Sequence, residues 1–179
     1  MIWPTDVLLL GLPNQVAEIK QEVEWFLHSW MNGLDSVQYT PQGLAWTWGG
    51  GQLRNVANAA LIAQVYAKKL TAAGETAKAR HYQCWALAQM RQIAGDGGRS
   101  YVIGHGNNPP THSFHKAASC PPKPAACGWK YLNTPHANQH VLHGALVGGP
   151  DADGSFVDVR NNSASNQPFL DYNAGWTGK

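Results

Sequence analysis

Charge is what this sequence has least of. Its 179 residues carry 13 Lys and Arg against 11 Asp and Glu, a charged fraction of 13% and a net charge of +2, where an average globular chain is roughly a quarter charged. There is no long run of Lys or Arg, which argues against a nucleic-acid partner on electrostatic grounds. No apolar stretch reaches the roughly 18 residues that crossing a membrane requires, so no membrane role is expected. The apolar stretch Val7 to Leu10 has no basic region before it and no small-residue cleavage site after it, and does not read as a signal peptide. Internal repeats and low-complexity tracts are missing too. Cysteine is sparse, with three in all. Cys120 and Cys127 flank the turn-rich stretch Pro-Pro-Lys-Pro-Ala-Ala, which closes into a disulfide if the loop doubles back. Such a bond would place the chain in an oxidising compartment, and the alternative is two reduced cysteines in the cytosol. Cys84 falls within a helical pattern and is expected to be a buried free thiol.

A hydrophobic content of 44% suffices for one domain with a genuine core, taken as residues 1–179. Eight Trp are many for this length. Each can pack a core, or can stack on the apolar face of a pyranose ring. Three amphipathic helices are legible. Val16, Ile19, Val23, Phe26, Leu27 and Trp30 recur at steps of three and four, with Asn14 as the expected cap and Gly33 as the stop. A second helix is expected over roughly Leu53–Ala73 and ends at Gly74. A third begins near Glu75, carries Tyr82, Trp85, Ala86, Met90 and Ile93, and stops at Gly95. The short turn between the last two predicts an antiparallel helical hairpin. From Arg99 onward Gly, Pro and Asn dominate, broken by the apolar segment Val141 to Val147. Long loops in a compact domain usually carry function.

Those loops hold several motifs in a fixed order. They are Gly98-Arg99-Ser100-Tyr101-Val102-Ile103-Gly104-His105-Gly106-Asn107-Asn108-Pro109-Pro110, then Ser119-Cys120-Pro121 and Cys127-Gly128-Trp129. Gly144-Ala145-Leu146-Val147-Gly148-Gly149-Pro150-Asp151 and Asp171-Tyr172-Asn173-Ala174-Gly175 follow. Upstream lie Gln38-Tyr39-Thr40-Pro41-Gln42-Gly43-Leu44-Ala45-Trp46 and Leu53-Arg54. Together, from about Glu22 to Gly175, they resemble the family 9 glycoside hydrolases, the endo-β-1,4-glucanases or cellulases, especially the animal branch. The resemblance implies an all-α fold, a partial (α/α)6 barrel of helical hairpins with long loops on one face, of which this chain supplies roughly the last two-fifths. It also implies a secreted, extracellular protein that meets β-glucan or another polysaccharide.

The family's chemistry inverts the anomeric carbon, which takes an acid and a base on opposite faces of the sugar. The resemblance places the acid Glu five residues before Tyr172, where this sequence has Gln167. An amide cannot donate a proton as a carboxylic acid does, although it can hydrogen-bond a sugar oxygen. The small residue expected two positions later is Phe169, and the aromatic expected four positions earlier is Ser163. The family's His-x-Arg pair falls on Phe114 and Lys116, with His115 between them and His112 nearby. The family's platform Trp falls on Gly50, with Trp48 two residues away. The Asp-rich motif that supplies the base is not found, and Asp151 and Asp153 lie in the wrong region for it. The surviving candidates for contacting substrate are Trp46, Trp48, His115, Asp158, Arg160 and Tyr172, with an Asp158–Arg160 ion pair as a further expectation. His105, His112, His115 and Cys120 fit no standard zinc spacing, and neither a metal nor a cofactor is expected. Asn161-Asn162-Ser163 is an N-glycosylation sequon.

Three functions are compatible with these residues. The first is a catalytically inactive cellulase-like domain that binds glucan or serves as a structural module. The second is a fragment of an active endoglucanase whose Asp base lies in a missing N-terminal half. The third is an interaction protein, because an incomplete barrel exposes apolar helix faces, such as that of Val16 to Trp30, to a partner that completes it or to a larger assembly.

Overall fold

A computed structural model of the chain describes residues 16–177. The Asn14 cap and the Val7–Leu10 stretch lie outside the described residues. Helix α1 (Val16–Asn32) is followed by a hairpin of strands β1 (Val37–Tyr39) and β2 (Ala45–Thr47), then by helices α2 (Gln52–Ala72) and α3 (Thr76–Ala94). Beyond α3 come long loops with short helices: α4 (Lys116–Ser119), a 3-10 turn at Trp129–Tyr131, α5 (Ser163–Asn166) and α6 (Leu170–Thr177). The expected helices appear within a residue or two of their expected ends.

The second helix is long because its sequence favours it. Ala, Leu, Gln and Lys fill it, all strong helix formers. Its buried face is mostly Ala57, Ala59, Ala60, Ala63 and Ala67, each fully buried. Such small side chains let α3 and α6 approach closely, and Gly175 of α6 abuts Asn58. The turn from α2 to α3 is made by Gly74 at φ +83°, and the Glu75 amide returns to the Leu70 carbonyl at 2.9 Å. That left-handed glycine after a helix is the usual way to satisfy its last carbonyls.

Helix α1 buries Val23, Leu27 and Trp30, with Leu27 worth roughly 1.5–3 kcal/mol of burial. This corrects the expectation that the face from Val16 to Trp30 is exposed: its described core residues are covered, and Trp25 is the residue left 60% exposed. Polar contacts add to the packing. Glu24 accepts hydrogen bonds from Tyr66 of α2 and Lys78 of α3, which ties the three long helices together. Burial pushes the Tyr66 and Tyr82 hydroxyls up, Tyr82 to about 12.

The β-hairpin pairs Val37 with Thr47, Gln38 with Trp46 and Tyr39 with Ala45. Buried Gln89 of α3 holds it in place, accepting from the Ala45 amide at 2.7 Å and donating to the Gly43 carbonyl at 3.1 Å. The loops then cross the helices. Val102 bridges Leu146, and Val147 donates to the Tyr101 carbonyl at 3.1 Å. Cys120 and Cys127 are joined in a disulfide with Cα atoms 5.3 Å apart. Cys84 is exposed on α3, not buried as expected; the helical period places it on the outer face, opposite Tyr82, Ala86 and Ile93. No helix among the described residues is long and apolar enough to cross a membrane.

Candidate functional site

Three loops meet around α5, and they carry Gly50, Phe114 and Gln167, three of the positions at which the sequence is expected to depart from the cellulase pattern. The Gly51 amide donates to the Ala164 carbonyl at 3.0 Å, and Gly50 lies so close to Ala164 that an added Cβ would sit 3.3 Å from the alanine Cβ. From another direction the Phe114 amide donates to the Asn166 carbonyl at 2.9 Å. Asn166 is fully buried, and its Nδ2 donates to the carbonyls of Val157 and Val159. Gln167 follows directly as the residue that ends α5. Gly50, Phe114 and Gln167 are thus drawn to one place by backbone contacts that do not depend on their side chains.

The Gln167 side chain is half-buried and has no hydrogen bond to a described residue, so its amide is available to a ligand. Phe169 is 45% exposed and stands edge-on to Tyr172, ring centroids 5.3 Å apart. Tyr172 is 6% exposed. Its ring packs under Gly51, where a Cβ would come within 2.1 Å of the tyrosine Cζ, and the Arg54 guanidinium lies 5.4 Å from its centroid. Tyr172 therefore supports the wall of the site from beneath. Arg54 also pairs with Asp171 at 2.9 Å.

Lys116 opens α4, and its ammonium lies 3.8 Å from the ring centroid of Trp129, a cation–π contact. Trp129 is 67% exposed. The motif Cys127-Gly128-Trp129 is legible in the sequence, but its spacing alone does not mark Trp129 as a site residue. The available signal is a Trp two residues after Cys127, just beyond the loop that the disulfide closes. Trp48 is 76% exposed, next to Gly49–Gly51. By contrast the Trp46 indole is half-buried and donates to the Pro150 carbonyl at 3.1 Å, which fixes its ring. On these loops the indoles of Trp48 and Trp129 stand out from the surface, whereas that of Trp46 is anchored.

Other sequence candidates have their polar atoms engaged in loop structure. The His115 ring accepts from the Ala118 amide at 3.1 Å and caps α4. The His112 ring lies 3.2 Å from Asp158 and donates to the Pro135 carbonyl at 3.1 Å. The His112 ring is thus held at both nitrogens and the His115 ring at Nδ1. Asp158 accepts from the amide and hydroxyl of Thr111, each at 2.8 Å, and from the His112 amide at 3.1 Å. Burial works to raise its carboxyl, but the Thr111 and His112 hydrogen bonds outweigh burial and hold it below the usual carboxylate range. Arg160 does not pair with Asp158. Its guanidinium donates to Asn138 at 2.7 Å and to the carbonyls of Leu132, Thr134 and His136, because those loop carbonyls surround a side chain only 5% exposed. Burial lowers its basicity, which the charge of Asp158 partly restores.

Between these two clamps lies an open cleft of about 580 Å³ lined by His112, Leu132, Thr134, Pro135, Asp158 and Arg160. Asp153 is turned onto its own loop, accepting from the Ser155 amide at 2.8 Å. Among the described residues no group of three His, Cys, Asp or Glu could hold a metal ion.

The family model for glycosyl hydrolase family 9 matches residues 4–179. Endoglucanase 4 of Bacillus sp. (strain KSM-522) is 39% identical over 180 residues, covering 96% of this chain and 27% of the relative. The endoglucanase of the termite Nasutitermes takasagoensis superposes with a TM-score of 0.85 at 42% identity, covering 97% of this chain and 38% of that one. The endoglucanase CelQ of Clostridium thermocellum, in a complex with cellotetraose, gives a TM-score of 0.84 at 34% identity, with 98% and 28% covered. Family 9 endoglucanases are (α/α)6 barrels, and the helical hairpin with its loop layer is a part of one. This chain spans about a quarter of the length of the Bacillus relative and under two-fifths of the termite enzyme; it belongs to glycosyl hydrolase family 9, as a partial domain.

Proposed function

We propose that this chain is the C-terminal part of a family 9 catalytic domain that has kept a glucan-binding surface and lost its acid–base chemistry. The observation that carries this reading is the convergence of Gly50, Phe114 and Gln167 on α5. One loss would be a variant, but three at one place remove the proton donor, an imidazole and a sugar platform together. Inversion needs two carboxyl groups across the scissile bond, and the position of the acid holds an amide. The carboxylates near the site are engaged, Asp158 by Thr111 and His112 and Asp171 by Arg54. What remains suits binding: the Gln167 amide, the exposed indoles of Trp48 and Trp129, and the cleft beside Arg160 and Asp158. The cellotetraose held by CelQ supports a β-1,4-glucan as ligand, and the disulfide suits an extracellular setting.

The test is twofold. Titrating cellohexaose into the purified chain should quench tryptophan fluorescence saturably, and Trp129→Ala should weaken that binding. Incubation with carboxymethyl-cellulose should release no reducing ends above a no-protein control. Clear turnover would instead support the second reading, a fragment of an active endoglucanase whose Asp base comes from an N-terminal half.

A role in assembly accompanies this reading. A largely apolar groove of about 300 Å³ between α2 and α3 is lined by Leu61, Val65, Leu87 and Met90. The remaining helices of a family 9 barrel are the partner whose chemistry would cover it.

A further inference from the structure

A second cavity, separate from the loops around α5, is lined by an arginine with one buried, unpaired guanidinium nitrogen. It lies where the hairpin turn, the end of α3 and the loop at Gly154 come together, and encloses about 140 Å³. Thr40, Gln42, Gln92, Arg99, Tyr101 and Phe156 line it, and no Asp or Glu is among its lining residues. Arg99 lies with its Cζ 5.2 Å from the centroid of Phe156, so one face is covered by the ring. Its Nη1 is buried and has no hydrogen-bond partner. Buried donors of this kind are nearly always paired, and leaving a charged one unmet is costly.

The other polar groups are arranged in the same sense. The Thr40 hydroxyl accepts from the Leu44 amide at 3.2 Å, which leaves its own proton to give. Gln42 and Gln92 are held against two glycines. A Cβ at Gly154 would come within 2.2 Å of Gln42 Oε1, and one at Gly97 within 2.5 Å of Gln92 Oε1. Those glycines make room for both amides at the cavity. A primary amide carries two donors, which a half-turn of its last bond presents. The cavity therefore brings together one guanidinium, a hydroxyl and two primary amides that can turn to donate, and has no Asp or Glu in its lining.

From this we infer that the Arg99 cavity is a binding site for a small oxyanion, a carboxylate or phosphate group seated on the guanidinium and flanked by the Thr40, Gln42 and Gln92 donors. Guanidinium with converging neutral donors is the arrangement that recognises such groups. The site is independent of the glucan reading, since it shares no residue with the loops around α5.

Thermal unfolding of the full chain is followed against increasing sodium phosphate and, separately, sodium acetate, with ionic strength held by sodium chloride. A saturable rise in Tm is expected with at least one of them, about 3–6 °C at tenfold the half-saturating concentration. Arg99→Met should abolish the saturable rise. Gln92→Leu, whose native side chain has no hydrogen bond to a described residue, should fold normally and raise the half-saturating concentration several-fold. The inference is overturned by no saturable rise with either anion, as a cavity filled by water alone would give. It is equally overturned by a rise that neither substitution alters, as a general salt effect would give.

Discussion

Replacing a carboxyl by an amide preserves shape and removes a proton, so on the proposed reading Gln167 is the residue that decides whether this chain has acid chemistry. On that reading restoring the acid alone should not restore catalysis, because Phe114 and Lys116 would stand where the family has His and Arg, and inversion also takes a second carboxylate as base. We expect Gln167→Glu to leave carboxymethyl-cellulose uncut, without the ~10²–10⁴-fold gain that a positioned general acid gives a competent site. Measurable reducing-end release by that single variant would show that the rest of the machinery is intact. Asp158 carries a different consequence. Its folded-state pKa lies below its unfolded value because hydrogen bonds from Thr111 and His112 outweigh burial. The stability it contributes is therefore present above the unfolded value of about 3.9 and is lost as pH falls through the folded one. Denaturation midpoints should decline below about pH 4, and Asp158→Asn should flatten that decline while lowering stability at pH 7. An unchanged acid limb in the variant would count against this assignment.

At the level of elements, the helices were legible because their apolar residues repeat with a helical period over seventeen residues or more. The hairpin was not anticipated: strands of three residues give too little alternation to separate from loop. Positions 50, 114, 116 and 167 could be read from motif spacing, since chain order fixes which residue occupies a place. The partners of His115, Asp158 and Arg160 could not. Arg160 is satisfied by carbonyls 24 to 28 residues away, and no spacing rule reports which loop folds over which side chain. Helix α2 offers a direct test of how the elements lock. Gly51 precedes it at φ +71° with the Tyr172 ring against its α-carbon, whereas Gly43 sits at φ +86° with nothing within 4 Å. Gly43→Ala pays only for the left-handed backbone, about 1 kcal/mol. Gly51→Ala must also displace Tyr172 and should cost about 2–4 kcal/mol. Urea unfolding of the two variants side by side tests this, and equal midpoints would mean that Tyr172 moves freely.

For the molecule as a whole, the question is what covers the side of α2 and α3 that its own loops do not. Leu87 is 48% exposed beside the groove, and Leu170, at the start of α6, is 93% exposed. In the family's barrel each helical hairpin is flanked by others, and this chain spans 38% of the termite enzyme it superposes on. Apolar surface of this kind drives association roughly in proportion to its area. Without the helices that would flank it, the purified chain should self-associate as its concentration rises, giving a mass above 19.4 kDa by light scattering on a sizing column. Leu87→Lys places a charge at the edge of the groove on a side chain that packs little core, so it should restore the monomer while leaving the unfolding free energy from urea titration within about 0.5 kcal/mol of the parent. Adding a polypeptide with the complementary family 9 helices should suppress self-association of the parent and have less effect on the Leu87→Lys variant. A parent chain that stays monomeric from micromolar to millimolar concentration would show that the groove needs no cover, and would leave the loop face as the functional surface of this partial barrel.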